Sequence, residues 1–363
     1  PRSTLFPYTT LFRSGAGDYA RTMSEGAAPG EDSYFFRVVN RNKYGLRLDL
    51  KQAAGVEVFL RLAREADVIV EGFRPGVVDK LGIGYAAVRA VNPRVVYCAI
   101  TGYGQDGPWC DLAGHDINYV ATAGVLDQIG SAGGPPVLPN FQIGDLLGGA
   151  MTAVAGILTA LLAARASGEG RYVDVSMTDA VFAHAYTPLL ATLARGRPLP
   201  RGEDGLSGAL PGYGIYATED GRHLAVGALE PKFWRLFCAA LGRSDLESRG
   251  QDPAAAKALR AEVAAIIAAR PLSHWQAVFA DVDCGVTPIL SLDEALDHPQ
   301  LRARGMVVEA GGLTQFAPPF KLSGFDFSIR RPAPRPGADN RDLLRQAGYD
   351  EGGIAALEAA GVV

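Results

Sequence analysis

The sequence predicts an α/β fold: a parallel sheet with crossover helices, carrying a smaller α+β section in its middle. Three observations predict it. Short apolar strands alternate with stretches of helical spacing over the first hundred residues. A long helix, apolar on nearly every face, follows a Gly/Pro-rich loop. A stretch dense in Gly, Pro and charge, residues 195–212 (RGRPLPRGEDGLSGALPG), then separates these elements from a hairpin and further helices.

Residues 46–50 (LRLDL) alternate and read as a strand, and residues 53–66 carry apolar side chains at helical spacing. A short apolar strand at 67–71 closes on Arg74-Pro75-Gly76, residues 77–90 hold mixed helical signals, and 94–101 (RVVYCAIT) form a buried strand before the loop 102–114. The long helix spans 146–166 and should be buried between the sheet and a partner. A strand at 172–175 leads to a second apolar helix, 177–193. In the middle section, strands at 214–217 and 224–227 flank the turn Glu219-Asp220-Gly221. Helices at 231–241, 253–269 and 273–281 follow, the first opened by Glu230-Pro231. A Pro-rich segment, 318–336, returns the chain, and helices near 341–347 and 352–360 pack back on the first domain.

The bulk numbers exclude some functions. The chain has 363 residues, 48% hydrophobic, with a net charge of −4, which gives no field for nucleic acid or an anionic membrane surface. An anionic ligand must be held by a few local cations. Cys98, Cys110, Cys238 and Cys284 form no CxxC pair and no metal-spaced cluster with histidine. Cys98 and Cys238 lie in apolar runs and read as core, and free thiols fit a reducing cytoplasm. No apolar run approaches the roughly 20 residues of a membrane span. Residues 1–14 (PRSTLFPYTTLFRS) have neither a signal-peptide pattern nor a helical period. They resemble translated sequencing adapter, so the native chain is expected from near Gly15, followed by a loop over 15–33.

Of five histidines, His184 lies mid-helix among apolar residues and reads as packed, while His223, His274 and His298 read as surface. His115 follows the loop at the end of a predicted strand, in Gly114-His115-Asp116-Ile117-Asn118-Tyr119. Open α/β sheets bind ligands at the carboxyl ends of their strands, so His115 is either functional or a cap of the next helix. Asp145 starts the long helix. It reads first as an N-cap, but backbone N–H groups there also stabilise a developing enolate. Glu230 stands equally ambiguously at a helix start, and Lys51 and Lys80 meet either a phosphate or water.

Taken together, these residues resemble the family III CoA-transferase superfamily of CaiB/BaiF type, and within it the α-methylacyl-CoA racemase branch. The matching runs are residues 40–51 (NRNKYGLRLDLK), 66–85 (ADVIVEGFRPGVVDKLGIGY), 92–108 (NPRVVYCAITGYGQDGP), 113–119 (AGHDINY), 144–149 (GDLLGG), 218–231 (TEDGRHLAVGALEP) and 286–288 (VTP). They cover nearly the whole chain from Gly15 onward. The resemblance implies catalytic roles for His115, for Asp145 thirty residues on, and for Glu230 as the partner of the histidine. It implies CoA contacts at Leu50, Lys51 and Lys80 and in the loop Gly114, Asp116, Ile117, Asn118 and Tyr119. Coenzyme A is then part of the substrate, with no other cofactor and no metal.

The implied architecture is an interlocked homodimer with no nucleic-acid or membrane partner. Each subunit has a Rossmann-like large domain (residues 15–195, rejoined by 317–363) and a small α+β domain (196–316). Against the family pattern, the opening strand–helix–strand unit is missing. The implied activity is racemisation of 2-methylacyl-CoA. Two alternatives stay open: a CoA-transferase working through an acyl-aspartyl anhydride, commonly with an aromatic residue where His115 stands, and an inactive CoA-binding fragment.

Overall fold

A computed structural model describes residues 9–13, 18–23, 31–250, 252 and 254–363. Most of the expected loop 15–33 lies outside these residues. The strands are β1 (Thr9–Arg13), β2 (Lys43–Arg47), β3 (Val68–Glu71), β4 (Val96–Thr101), β5 (Tyr172–Ser176), β6 (Tyr213–Ala217), β7 (His223–Gly227), β8 (Val286–Pro288), β9 (Val307–Ala310) and β10 (Leu313–Phe316). The chain divides into two compact units. One comprises Pro1–Leu112, Met151–Val175 and Leu296–Val363, the other Ala113–Ala150 and Ser176–Ala295.

In the first unit, β4 lies between β3 and β5, and β3 runs parallel to β4 with Val68 opposite Val96 and Glu71 opposite Ala99. Successive side chains of a strand point to opposite faces. Tyr97 therefore enters one core, with Leu46, Val58, Phe59, Val88, Leu344 and Ile354, while Val96 and Cys98 meet Ala160, Ala164 and Ala153 on the other side. Burial on both faces explains why β4 reads as an unbroken apolar run. The C-terminal helices Asn340–Gln346 and Glu351–Ala359 pack into the Tyr97 core through Leu343, Leu344, Ile354 and Leu357, as the sequence predicts. Gly170 is required before β5, because a Cβ there would lie 1.8 Å from the Val95 carbonyl oxygen.

The start of the first unit differs from expectation. The strand predicted at 46–50 is shifted to Lys43–Arg47, since pairing rather than alternation sets its limits. It pairs in parallel with β1, Thr9 opposite Lys43 and Arg13 opposite Arg47, and Asp339 and Asn340 accept the Gly45 and Arg47 N–H groups. The chain then turns at Asp49, whose carboxylate accepts the Lys51 N–H and the Gln52 side-chain amide. Thr9–Arg13 thus forms a strand within the segment read as non-native.

The second unit holds an antiparallel sheet, β6–β7–β8, whose hairpin turns at Gly221 with φ +72°. Its core joins Tyr216, Leu224 and Val226 to Trp234, Phe237 and Cys238 of the helix Pro231–Ala240. Leu259, Val263 and Ile267 of Ala256–Ile267 and Trp275 and Phe279 of Leu272–Phe279 complete it. The helix predicted over 177–193 is two helices, Met177–Ala183 and Tyr186–Arg195. The break follows from Pro188, which has no N–H and whose ring would clash with the His184 carbonyl in a continuous helix. The ring Nδ1 of His184 instead donates to the Ala180 carbonyl at 2.6 Å, a structural bond that agrees with its reading as a packed residue.

The long helix runs from Gly144 to Ser167, opening as π-helix over Gly144–Met151. At 24 residues and mean hydropathy 2.0 it is long and apolar enough to cross a membrane, which corrects the reading that no run approaches that length. Its burial is also less than predicted. Ala153, Ala160 and Ala164 are covered, while Leu158 and Leu162 are 56% and 68% exposed.

Candidate active site

The loop 102–114 delivers the chain to the helix Asp116–Thr122, with His115 as its N-cap in extended conformation. Two bonds fix this turn. The His115 N–H donates to Asn118 Oδ1 at 3.0 Å, and the Tyr119 hydroxyl donates to the Gly114 carbonyl at 2.5 Å. Tyr119 is buried, with Val120 of the same helix and Ala123 at its C-cap packing on Val181. The His115 and Ile117 side chains are left exposed.

Asp145 lies at the start of the long helix, and its own N–H donates to Asp116 Oδ1 at 3.0 Å. The two helix starts are therefore hydrogen-bonded to each other, which brings His115, Asp116 and Asp145 together. The Asp145 carboxyl is held above the usual carboxylate range. Surrounding atoms strip part of its hydration, the Asp116 charge adds to this, and His115 opposes it. A carboxyl so placed exchanges a proton more readily near neutral pH than an ordinary aspartate.

Glu230 is the exposed N-cap of Pro231–Ala240, and its carbonyl receives the Phe233 and Trp234 N–H groups. Among the described residues its side chain makes no hydrogen bond or ion pair. In the first unit, Leu50 packs partly into the Tyr97 core, Lys51 is exposed after the Asp49 turn, and Lys80 ends the short helix Val77–Lys80 with its ammonium exposed. Among the described residues no group of three or more His, Cys, Asp or Glu is placed to hold a metal ion.

Sequence reasoning missed two features. The Asp116 side chain, read only as a CoA contact, braces Asp145. Glu71, at the carboxyl end of β3, has its carboxyl pushed up by burial, with the Phe73 N–H acting against that. Its signal was an acid directly after an apolar strand, where open sheets bind ligands. Beside it in chain order, the turn after β4 is shaped by Thr101 Oγ1, which accepts the Gly104 N–H, and by Asp174, which accepts the Gln105 N–H.

The first unit thus holds a parallel sheet with crossover helices, and the second holds a histidine and an aspartate at adjoining helix starts. The chain belongs to CoA-transferase family III, whose sequence model matches residues 12–340. It is 34% identical over 336 residues to α-methylacyl-CoA racemase of Mus musculus, covering 89% of this chain and 86% of that one. It is 32% identical over 338 residues to acetyl-CoA:oxalate CoA-transferase of Acetobacter aceti, covering 90% and 84%. A CaiB/BaiF family protein from Brucella suis has the same fold, with a TM-score of 0.80 at 24% identity over 94% of this chain and 92% of that one. The relatives therefore include both racemases and CoA-transferases.

Proposed function

We propose that the protein racemises 2-methylacyl-CoA thioesters by 1,1-proton transfer. The observation that carries this reading is the pairing of His115 with Asp145 at two mutually bonded helix starts. The α-proton of a thioester is weakly acidic, so its removal needs a positioned base and stabilisation of the thioester oxygen as it becomes enolate-like. In one direction Asp145 takes the proton, the C–H electron pair moves toward the thioester carbonyl, and His115 returns a proton to the other face of the carbon. In the reverse direction the roles exchange. Backbone N–H groups at the start of the long helix serve the developing oxyanion. Coenzyme A is the handle whose binding positions the carbon, with Leu50, Lys51, Lys80 and the loop Gly114–Tyr119 as its contacts and no further cofactor.

The working form in this reading is a homodimer. Leu158, Leu162, Phe182, Leu190 and Leu193 are each more than half exposed in the single chain, which supports cover by a second copy. Glu230 of one copy then orients His115 of the other, in keeping with its lack of a side-chain partner among the described residues.

The test is NMR of a 2-methylacyl-CoA in D2O. Wild-type protein should exchange the α-proton, and His115→Ala and Asp145→Asn should each slow this by about 10²–10⁴-fold. A folded, CoA-binding protein that exchanges nothing sinks the reading. Trapping of an acyl-Asp145 by hydroxylamine would then establish the transferase.

A further inference from the structure

The contact between the two helix starts gives one acid a role that its position beside His115 does not suggest. The long helix begins at Gly144, and neither Gly144 nor Ile143 before it carries a polar side chain that could cap it. The cap comes from elsewhere: Asp116, 29 residues earlier, accepts the Asp145 N–H at 3.0 Å. The approach is close. A Cβ on Gly144 would lie 3.0 Å from Asp116 Oδ1 and 3.5 Å from Tyr119 Cβ. Asp116 is itself held in place, because the turn that carries it is pinned by the Asn118 and Tyr119 bonds.

We propose that Asp116 is a positioning residue for Asp145: its carboxylate caps the helix that Asp145 opens and fixes a negative charge beside the Asp145 carboxyl. This rests on the reading of Asp145 as an acid/base group. The physical consequence follows from charge. Burial already favours the protonated Asp145 carboxyl, and the Asp116 charge adds to it, so Asp145 retains its proton to higher pH than an ordinary aspartate. That serves a group that must donate a proton in one direction of the reaction and accept it in the other. His115 is the opposing influence. The helix Met177–Ala183 meets Gly148 through the Met177 backbone and the Val181 side chain.

The experiment separates the charge from the cap, using the full chain. Asp116→Asn keeps an oxygen that accepts the Asp145 N–H but removes the charge. Asp116→Ala removes both. Carboxyl ¹³C NMR of aspartate-labelled protein, with the Asp145 signal assigned from Asp145→Asn, reads the Asp145 titration directly. In Asp116→Asn that titration should move to lower pH, and the acid limb of the exchange–pH profile should move with it. Asp116→Ala should also lose about 10²-fold in peak exchange rate through misplacement of the carboxyl, while Asp116→Asn stays near wild type. A purely structural cap would leave the Asp116→Asn titration unmoved, and that result overturns the proposal. So do equal peak rates in the Asn and Ala variants. If Asp116→Ala does not fold, the Asn titration decides alone. If wild-type protein exchanges no α-proton, the racemase reading falls, while the titration still decides what Asp116 does to Asp145.

Discussion

The helices Pro231–Ala240 and Gly144–Ser167 are both rich in apolar residues, yet they meet the rest of the chain in opposite ways. Pro231–Ala240 turns its largest side chains inward. Trp234, Phe237 and Cys238 are buried among Leu246, Leu259 and Trp275. Gly144–Ser167 turns its smallest inward: Ala153, Ala160 and Ala164 let the backbone approach the sheet, while Leu158 and Leu162 face out. The first is an amphipathic helix whose Trp234, Phe237 and Cys238 one domain buries. The second is apolar all round, and one sheet covers only one side of it. Apolar content alone therefore does not report burial within a chain. The size of the side chains on each face does.

The largest expected effect tests the covered helix. Phe237→Ala should destabilise the protein by about 3–5 kcal/mol in urea unfolding, because it opens a cavity at a fully buried site. Leu162→Ala, at the exposed site, should cost less than about 0.5 kcal/mol in a monomer. Equal losses at the two positions would break the comparison.

Next in size, Leu162→Lys should weaken self-association by about tenfold or more in sedimentation, about 1.4 kcal/mol. Its circular dichroism spectrum should not change. No change in association would show that this leucine faces something other than a second copy.

The thiols sharpen the same contrast. Burial pushes the Cys98 thiol, against Ala153 of the long helix, up to about 11, and the Cys238 thiol up to about 12. Both stay neutral at pH 8, so Cys110, which is partly exposed, should react first with a thiol reagent. Cys98 and Cys238 should react only on unfolding. Prompt labelling of Cys98 would mean that the long helix lifts from the sheet.

The smallest effect is at Asp145. Its carboxyl is raised in the folded chain, so ionising it costs folded stability. That cost is absent below the ordinary aspartate pKa and complete above the folded one. Asp145→Asn should therefore raise the melting temperature slightly at pH 7, with the gain fading as pH falls through the acid range. A loss at pH 7 would mean that the carboxylate stabilises the helix start more than its surroundings oppose it.

Much of the fold was legible in the sequence. Alternation and helical spacing placed β3, β4, the hairpin β6–β7 and the helices flanking them, because those elements bury a face whose period is written in the residue types. The shift of the strand to Lys43–Arg47 was not legible, since its limits are set by pairing with β1 and by Asp339 and Asn340, nearly three hundred residues away. The break at His184 was available in Pro188. For the site, the sequence singled out His115 and Asp145 by their loop and helix-start positions, and residue order alone left each with a plain capping role.

By itself, the sequence determined the type of most strands and helices and the family. These follow from local periodicity and residue chemistry that any folded context must respect. Only the tertiary structure decided that Asp116 reaches the Asp145 N–H, that the long helix turns its alanines inward, and that Glu230 finds no side-chain partner among the described residues. Each of these depends on the distance between residues far apart in sequence, and hydrophobic patterning does not encode such distances.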